Sequence, residues 1–231
     1  MKTKIRPRWN TDVVNQTHEI FKDCGYHIIN NFLDESISDF LYGYLMLAQK
    51  RLREVENNGI ENESQMYGEF RNDTFSIYGD LAFDSILLGK KSELEGYTGV
   101  DLLPSFTEAI LHKKNSVSSG HTDRENCQIS LSVCLGFEGP KIWPLWIKEK
   151  NGKKIEVQLK KGDAIVYRET DVESWREPYA GFQQAQLLIH YSDKNTPNSK
   201  PYDNRVALGL GAFSKIENIM KKQFDKIKRN K

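Results

Sequence analysis

The sequence lacks any long apolar run, and this absence is the first constraint on its class. No stretch in its 231 residues approaches the roughly 18 apolar residues by which a membrane-spanning helix is recognised. The start carries Lys2, Lys4, Arg6 and Arg8, but no apolar segment follows them, so it does not resemble a secretory signal. We therefore expect a soluble protein with no membrane partner.

Cysteine and net charge are also scarce. The three cysteines, Cys24, Cys127 and Cys134, form an odd and scattered set, which predicts reduced thiols and a cytoplasmic location. Lys and Arg number 33 against 32 Asp and Glu, so the net charge of +1 gives no reason to expect nucleic acid as a partner. The length suffices to bury a core without disulfides, and the oligomeric state stays open.

Apolar residues recur at helical spacing in the first part of the chain and in short alternating segments in the second. Helical spacing predicts three helices, which begin after Thr11, Asp34 and Asp80 and end near Gly25, at 57–59, and near Gly96 or Gly99. Strands are predicted at 26–30, 105–113, 128–135, 155–159, 164–167 and 184–191, with a polar loop up to about residue 74. Helices before strands predict an α+β fold in which helices flank a sandwich or jelly roll.

The last part of the chain is basic and is predicted to be helical. Apolar residues from Phe213 to Ile227 recur every three to four positions, and residues 213–231 hold seven Lys or Arg against two acids. We favour an amphipathic helix packed on the sheet over a basic surface for an anionic partner. The chain is therefore predicted to be one domain over 1–231, with a helical part at about 10–100, a β core at about 104–192 and a C-terminal helix at about 212–231.

The sharpest chemical pattern is His121 and Asp123, separated by a single residue. An imidazole and a carboxylate at this spacing can bind one ion where a strand ends. With a second imidazole they complete the facial triad of non-haem Fe(II) sites, which leaves positions open for co-substrate and oxygen. Taken alone the pair is common by chance, and a surface histidine beside a surface aspartate is the ordinary alternative.

Later segments give this pair a context. They read CQISLS at 127–132, WPLW at 143–146, GDAIVYR at 162–168, VESWREP at 172–178 and QAQLLIHY at 184–191. In this order the segments resemble the Fe(II)/2-oxoglutarate-dependent oxygenases, near the prolyl-4-hydroxylase-like branch and an uncharacterised bacterial and phage group within it. The resemblance covers about residues 75–191, with a weaker echo at 25–45.

The resemblance implies a double-stranded β-helix core with helices outside, and Fe(II) and 2-oxoglutarate as cofactors. It also implies hydroxylation of an unactivated C–H bond in a small-molecule or peptide substrate. His121 and Asp123 are the implied iron ligands, and a second histidine is expected in the segment at 172–178. Ser174 stands at that position, and a neutral hydroxyl is a poor ligand for Fe(II).

The strand that leads to the site departs from the family as well. Alternation places four of its side chains on one face: Phe106, Glu108, Ile110 and His112. The resemblance implies an arginine where Ile110 stands and a tyrosine where His112 stands. It also implies a lysine or arginine about ten residues after the distal ligand, in the region that Gln184 and Gln186 occupy.

One interpretation is that the site is rebuilt. His112, Glu173 or Glu177 would then replace the missing imidazole. Arg176 or Arg168 would then pair with the distal carboxylate of 2-oxoglutarate, because a guanidinium binds a carboxylate through two parallel hydrogen bonds. Gln184 and Gln186 are further candidates, and of these four residues we favour Arg176 and Gln186 as the co-substrate contacts.

The other interpretation is a catalytically inactive oxygenase fold that binds or scaffolds a partner. We place the two near even. A third and weaker possibility is a metal-independent jelly roll that binds a sugar or a small acid.

Several conspicuous residues are predicted to be structural. His190 lies in an apolar strand and is expected to be a hydrogen-bonded core histidine. Cys134 shares a strand face with Ser130 and Ser132, so it either sees the interior or simply packs there. The tryptophans are also predicted to pack, in a buried or lip-like cluster or as a wall of the pocket: Trp143, Trp146 and Trp175.

Overall fold

The computed structural model describes residues 11–59, 68–71, 74–118, 128–149, 151–169 and 171–197. Within them lie three helices, α1 (Thr11–Cys24), α2 (Glu35–Asn57) and α3 (Leu81–Thr98). The strands are β1 (Tyr26–Ile29), β2 (Glu69–Arg71), β3 (Thr74–Tyr78), β4 (Leu102–Lys113), β5 (Ile129–Glu138), β6 (Leu145–Lys148), β7 (Lys154–Val157), β8 (Ala164–Arg168), β9 (Glu173–Trp175) and β10 (Gln183–Asp193). The predicted C-terminal helix at 212–231 falls outside these residues.

The strands form two antiparallel sheets that pack against each other. The large sheet has the order β1-β8-β5-β10-β4-β3-β2, and the small sheet has the order β7-β6-β9. An antiparallel bridge between Ser118 and Arg176 brings the chain after β4 alongside the small sheet. From β4 to β10 the chain thus passes back and forth between the sheets. This is the topology of a double-stranded β-helix, and it confirms the predicted fold class.

The main core lies between the helices and the large sheet. Leu41, Leu45 and Leu52 of α2 recur along one face of that helix and are at most 2% exposed. Burying each such side chain contributes about 1.5–3 kcal/mol. They meet alternate residues of the central strands, among them Ala109, Leu111, Leu131, Val133, Leu187 and Ile189. A second cluster fills the space between the two sheets and includes Ile147, Val157, Ile165 and Tyr167.

The ends of α3 show how the chain sets an element boundary. At its start the Asp80 carboxylate accepts a hydrogen bond from the backbone N–H of Ala82 at 2.8 Å, as expected of an N-cap. At its end Gly99 has φ +66°, the left-handed conformation that glycine adopts without strain. The imidazole of His18 packs against Gly99 so closely that a Cβ there would lie 2.1 Å from its Nε2. The helix therefore ends at the later of the two predicted positions.

The hairpin of β2 and β3 corrects the predicted polar loop. Phe75 and Ile77 of β3 are buried in the main core. Strand β3 pairs with the side of β4 that faces away from β10. The stabilisation comes from this pairing with a strand some thirty residues later, because an isolated hairpin is marginally stable. The local polar composition gave no sign of it.

No helix within the described ranges is long and apolar enough to cross a membrane.

Candidate ligand site between the two sheets

Ser174 points into the space between the sheets. It lies opposite Ile147 in the pairing of β9 with β6, while Trp175 lies opposite Trp146. Ile147 is completely buried between the sheets, and directly opposed residues share a face, so Ser174 faces inward and Trp175 outward. The structure thus puts the Ser174 side chain on the face of β9 that is turned toward the large sheet.

His121 and Asp123 lie outside the described residues, which break off after Ser118. The backbone of Ser118 pairs with Arg176, the residue that follows β9. The N–H of Arg176 donates to the Ser118 carbonyl at 2.9 Å, and the N–H of Ser118 donates back at 3.3 Å. His121 follows three positions later in the sequence. Within the described ranges, no three His, Cys, Asp or Glu side chains are grouped closely enough to hold a metal ion.

Arg176 is a buried cation on the same inner face, two residues after Ser174. It is 4% exposed. Its Nη1 donates to the Trp143 carbonyl at 2.6 Å, its guanidinium carbon lies 4.9 Å from the centre of the Trp143 ring, and its Nε has no partner. Burial lowers its pKa to about 10, so it stays charged at neutral pH. Among the described residues no carboxylate pairs with it, and a buried charge left unpaired is costly.

His112 and Gln186 are bound to each other. Gln186 donates through Nε2 to the Ser132 hydroxyl at 2.7 Å, and its Oε1 lies 3.2 Å from Nε2 of His112. An amide oxygen only accepts, so His112 donates here and its Nδ1 is the remaining acceptor. Burial, and then the charge of Arg176, lower the pKa of His112 to about 3. The imidazole is therefore neutral, and its ring rests edge-on against Trp143 at 4.9 Å.

The side-chain oxygen of Gln184, unlike that of Gln186, has no hydrogen-bond partner among the described residues. Gln184 lies directly opposite His112 in the pairing of β10 with β4, and it is 1% exposed. Its Oε1 is buried without a hydrogen-bond partner. Of the two glutamines predicted to contact a co-substrate, Gln184 is thus available to a ligand, whereas both ends of the Gln186 amide are already bound.

The remaining predicted site residues are not brought to this interior. Arg168 packs over the ring of Phe21 at 5.4 Å and pairs with Asp171 at 3.5 Å, on the helix side of the large sheet. Glu173 is exposed and pairs with Lys148 at 3.0 Å. The carboxylate of Glu177 is also outside, where it accepts a hydrogen bond from Nε1 of Trp175 at 3.1 Å.

His190 occupies a structural position, as the sequence predicts. Its Nδ1 lies 2.7 Å from the Ser130 hydroxyl, and its ring stacks on Phe106 at 4.3 Å. It is 3% exposed. The two partners fix the ring deep in the inner face of the large sheet.

The contacts of Trp143 with His112 and Arg176 were not predicted from the sequence, since we expected this residue only to pack. It precedes β6 and touches both His112 and Arg176, which belong to different sheets. No local pattern signals this, because the contact depends on how the segment before β6 folds back across the interior.

The interior fits a carboxylate. Arg176 supplies a buried guanidinium whose Nε has no partner among the described residues, and guanidinium–carboxylate pairs are strong, directional contacts. The free buried atom of Gln184 is its Oε1, an acceptor that does not bind a carboxylate. For an iron ion the described inner face supplies Ser174 and Nδ1 of His112. The imidazole and carboxylate that the sequence predicts as ligands lie in the segment outside the described residues.

No protein-family model matches the chain, and no curated protein matches it. Solved structures match it. A prolyl-4-hydroxylase from Pseudomonas putida is 14% identical, with a TM-score of 0.57 over 79% of this chain and 100% of that chain. A prolyl hydroxylase from Trichoplax adhaerens, in complex with a hypoxia inducible factor peptide fragment, is 14% identical, with a TM-score of 0.58 over 84% and 95%.

A viral collagen prolyl hydroxylase from Paramecium Bursaria Chlorella virus-1, in complex with 2-oxoglutarate, is similar over less of this chain. It is 12% identical, with a TM-score of 0.52 over 74% of this chain and 97% of that chain. Likeness at such identities shows the fold. The chain therefore has the double-stranded β-helix fold of the Fe(II)/2-oxoglutarate-dependent oxygenases, in the form found in prolyl hydroxylases.

Proposed function

We propose that the chain is an Fe(II)/2-oxoglutarate-dependent oxygenase of the hydroxylase type, with an incomplete metal triad of His121, Asp123 and Ser174. The buried Arg176 is the observation that carries this proposal. A guanidinium inside the barrel with no carboxylate partner among the described residues is costly, and an anionic co-substrate that binds there would remove that cost. We further propose a small-molecule or peptide substrate.

We place the metal-binding part of the proposed site near the bridge between Ser118 and Arg176, beside the small sheet. Ser174 faces inward beside Arg176, and His121 and Asp123 follow shortly after the bridge at Ser118. We propose these two residues as the iron ligands and water as the group at the position of the serine hydroxyl. Bound Fe(II) and 2-oxoglutarate would supply the oxidising chemistry, for which a protein provides binding, orientation and a dry cavity.

The anchoring end of the proposed site is built around Arg176. Arg176 would hold the distal carboxylate of 2-oxoglutarate, and Gln184 would add a contact only through its Nε2, because its buried Oε1 is an acceptor. His112 is neutral, so it adds no second positive charge that would compete for the carboxylate. The Trp143 ring lies against the guanidinium on one side, while Arg176 also lines a surface groove of about 470 Å³ with Lys148 and Trp175.

The second candidate is an inactive oxygenase fold that binds a partner. It is favoured by the lack of a described carboxylate beside Ser174, since Glu173 and Glu177 both face outward. Among the described histidines, His112 is the one predicted to replace the missing metal ligand, and one of its nitrogens is already hydrogen-bonded to Gln186. On this reading the triad has lost a ligand that no described side chain replaces.

Anaerobic titration of the metal-free protein with Fe(II) and 2-oxoglutarate tests the proposal. We expect a saturable visible charge-transfer band, which reports 2-oxoglutarate chelated to iron in the site. Substrate candidates, both small molecules and peptides, would then be screened by succinate release. A folded protein that gives no band under these conditions would support the inactive fold instead.

A further inference from the structure

Trp143 makes an unusual set of contacts for a residue that simply fills space. Its backbone carbonyl accepts a hydrogen bond from Nη1 of Arg176, and its ring lies against the same guanidinium. Its Nε1 donates to the Glu177 carbonyl at 2.7 Å, one residue further along the chain. Three separate parts of one tryptophan thus contact the two residues that follow β9, Arg176 and Glu177.

The edge of Arg176 that Trp143 leaves free is the one that matters for a ligand. A guanidinium binds a carboxylate through two parallel N–H groups, and the N–H bonds of Nε and Nη2 lie parallel along one edge of the planar group. Trp143 engages Nη1, which lies on the other side, while Nε is buried and unpartnered. The guanidinium is thereby held with its two-donor edge turned away from the tryptophan.

The same ring also borders His112, with Tyr179 tilted against it at 5.0 Å. Trp143 is itself 4% exposed, and its outer edge lines a surface groove of about 650 Å³. The indole is therefore the wall that separates Arg176 from solvent on that side. Ordinary core packing explains the burial, but it does not explain why carbonyl and ring converge on one cation.

We propose that Trp143 is the positioning residue of the anion site: it fixes the Arg176 guanidinium so that its Nε and Nη2 edge meets the ligand carboxylate. The identity of the ligand as 2-oxoglutarate rests on the proposed function. The positioning itself rests on the contacts of Trp143 and does not depend on that identity.

Calorimetric titration of the full-length protein with 2-oxoglutarate and Mn(II) gives the first test. Trp143→Leu removes the aromatic ring and is expected to weaken 2-oxoglutarate binding by about tenfold, whereas Trp143→Phe keeps a ring and should stay within about threefold. Trp146→Leu is the matched control, because that indole stacks on Trp175 on the outer face and does not touch Arg176. Equal affinities of the Trp143→Leu and Trp146→Leu variants would overturn the proposal.

The Arg176 Nε–H resonance gives a second test that needs no ligand. It is identified in the wild type as the arginine signal that Arg176→Lys removes. We expect an upfield displacement by the indole ring, lost in Trp143→Leu and kept in Trp146→Leu. If 2-oxoglutarate fails to bind but this pattern appears, the proposed function is wrong and the positioning role stands. If Trp143→Leu does not fold, the wild-type signal decides, and an undisplaced resonance contradicts the proposal.

Discussion

The two faces of the large sheet are made by the same strands, yet they bury different chemistry. Toward the helices, β4 and β10 present Ala109, Leu111, Leu187 and Ile189, all completely buried in the main core. Toward the small sheet, the same strands present His112, Gln184 and Gln186. The alternation of a strand thus separates the part of the protein that holds the fold from the part available to a ligand.

Because the two faces differ in this way, stability and ligand binding can be varied independently. On the helix side the Thr107 hydroxyl donates to Asp84 at 2.7 Å, although Oγ of Ser38 and Nε2 of Gln49 in α2 are buried without a partner among the described residues. The inner side retains an unpartnered Arg176 Nε and Gln184 Oε1. Substitutions on the first face should therefore act on stability, and substitutions on the second should act on binding.

The largest effect is expected from Leu187→Ala compared with Leu188→Ala, which alters the same residue type on opposite faces. Leu187 is completely buried in the main core, while Leu188 faces inward and is half-buried. We expect Leu187→Ala to lower the free energy of unfolding by about 2–5 kcal/mol and Leu188→Ala to lower it much less. Chemical denaturation measures both, and equal losses would show that the inner face is as tightly packed as the core.

The pH dependence of stability should carry a signature of the inner face. His112 has a pKa of about 3 in the fold against 6.5 ordinarily, because of burial and the charge of Arg176. Below pH 6.5 the unfolded chain binds a proton that the folded chain does not. The contribution of His112 is therefore complete above pH 6.5, and it is lost at about 1.4 kcal/mol per pH unit as the pH falls toward 3.

Denaturation between pH 8 and pH 5 tests this in the wild type and in His112→Gln, which keeps an amide donor for Gln186. The variant should lose part of the acid destabilisation, about 2 kcal/mol at pH 5. Parallel curves for the two proteins would mean that His112 titrates normally and is not enclosed.

Ser174→His should restore an imidazole on the inner face. We expect it to raise the affinity for Fe(II) about tenfold, since imidazole is a far better ligand for this ion than a hydroxyl. Ser85→His, at an exposed position of α3, is the matched control. If both variants leave metal affinity unchanged, position 174 does not face the ion.

The smallest effect is expected from Glu173→Gln, on the outer face of the small sheet. Its ion pair with Lys148 is exposed, with side chains 56% and 46% accessible, and such pairs contribute less than about 1 kcal/mol. Stability and Fe(II) affinity should both be nearly unchanged. Loss of Fe(II) binding would instead identify Glu173 as the replacement ligand.

Local sequence patterns predicted much of the fold. The apolar stripe of α2, the cap at Asp80 and the alternation in β4 each depend on residues that are close in sequence, and each matches the structure. The strands that were missed, β2, β3, β6 and β9, are three to five residues long, as are β1, β7 and β8, which were predicted, so length alone does not separate the two groups. So short a strand carries little periodicity, and its stability comes from partners distant in the chain.

The site could be predicted less completely. The sequence favoured Arg176 and Gln186 as co-substrate contacts, but it gave no sign that both ends of the Gln186 amide are already hydrogen-bonded. Such bonds depend on which face each side chain takes in the folded chain. The contact of Trp143 with Arg176 spans 33 residues of sequence and has no local signal.

Calorimetry in the presence of Mn(II), comparing 2-oxoglutarate binding by the wild type, Arg176→Gln and Arg168→Gln, shows whether Arg176 anchors the co-substrate. We expect Arg176→Gln to weaken binding at least about tenfold while it raises Tm, because it removes a buried charge that no described carboxylate pairs, and Arg168→Gln to leave binding unchanged. A wild type that does not bind, or two variants that bind equally well, would contradict this role of Arg176.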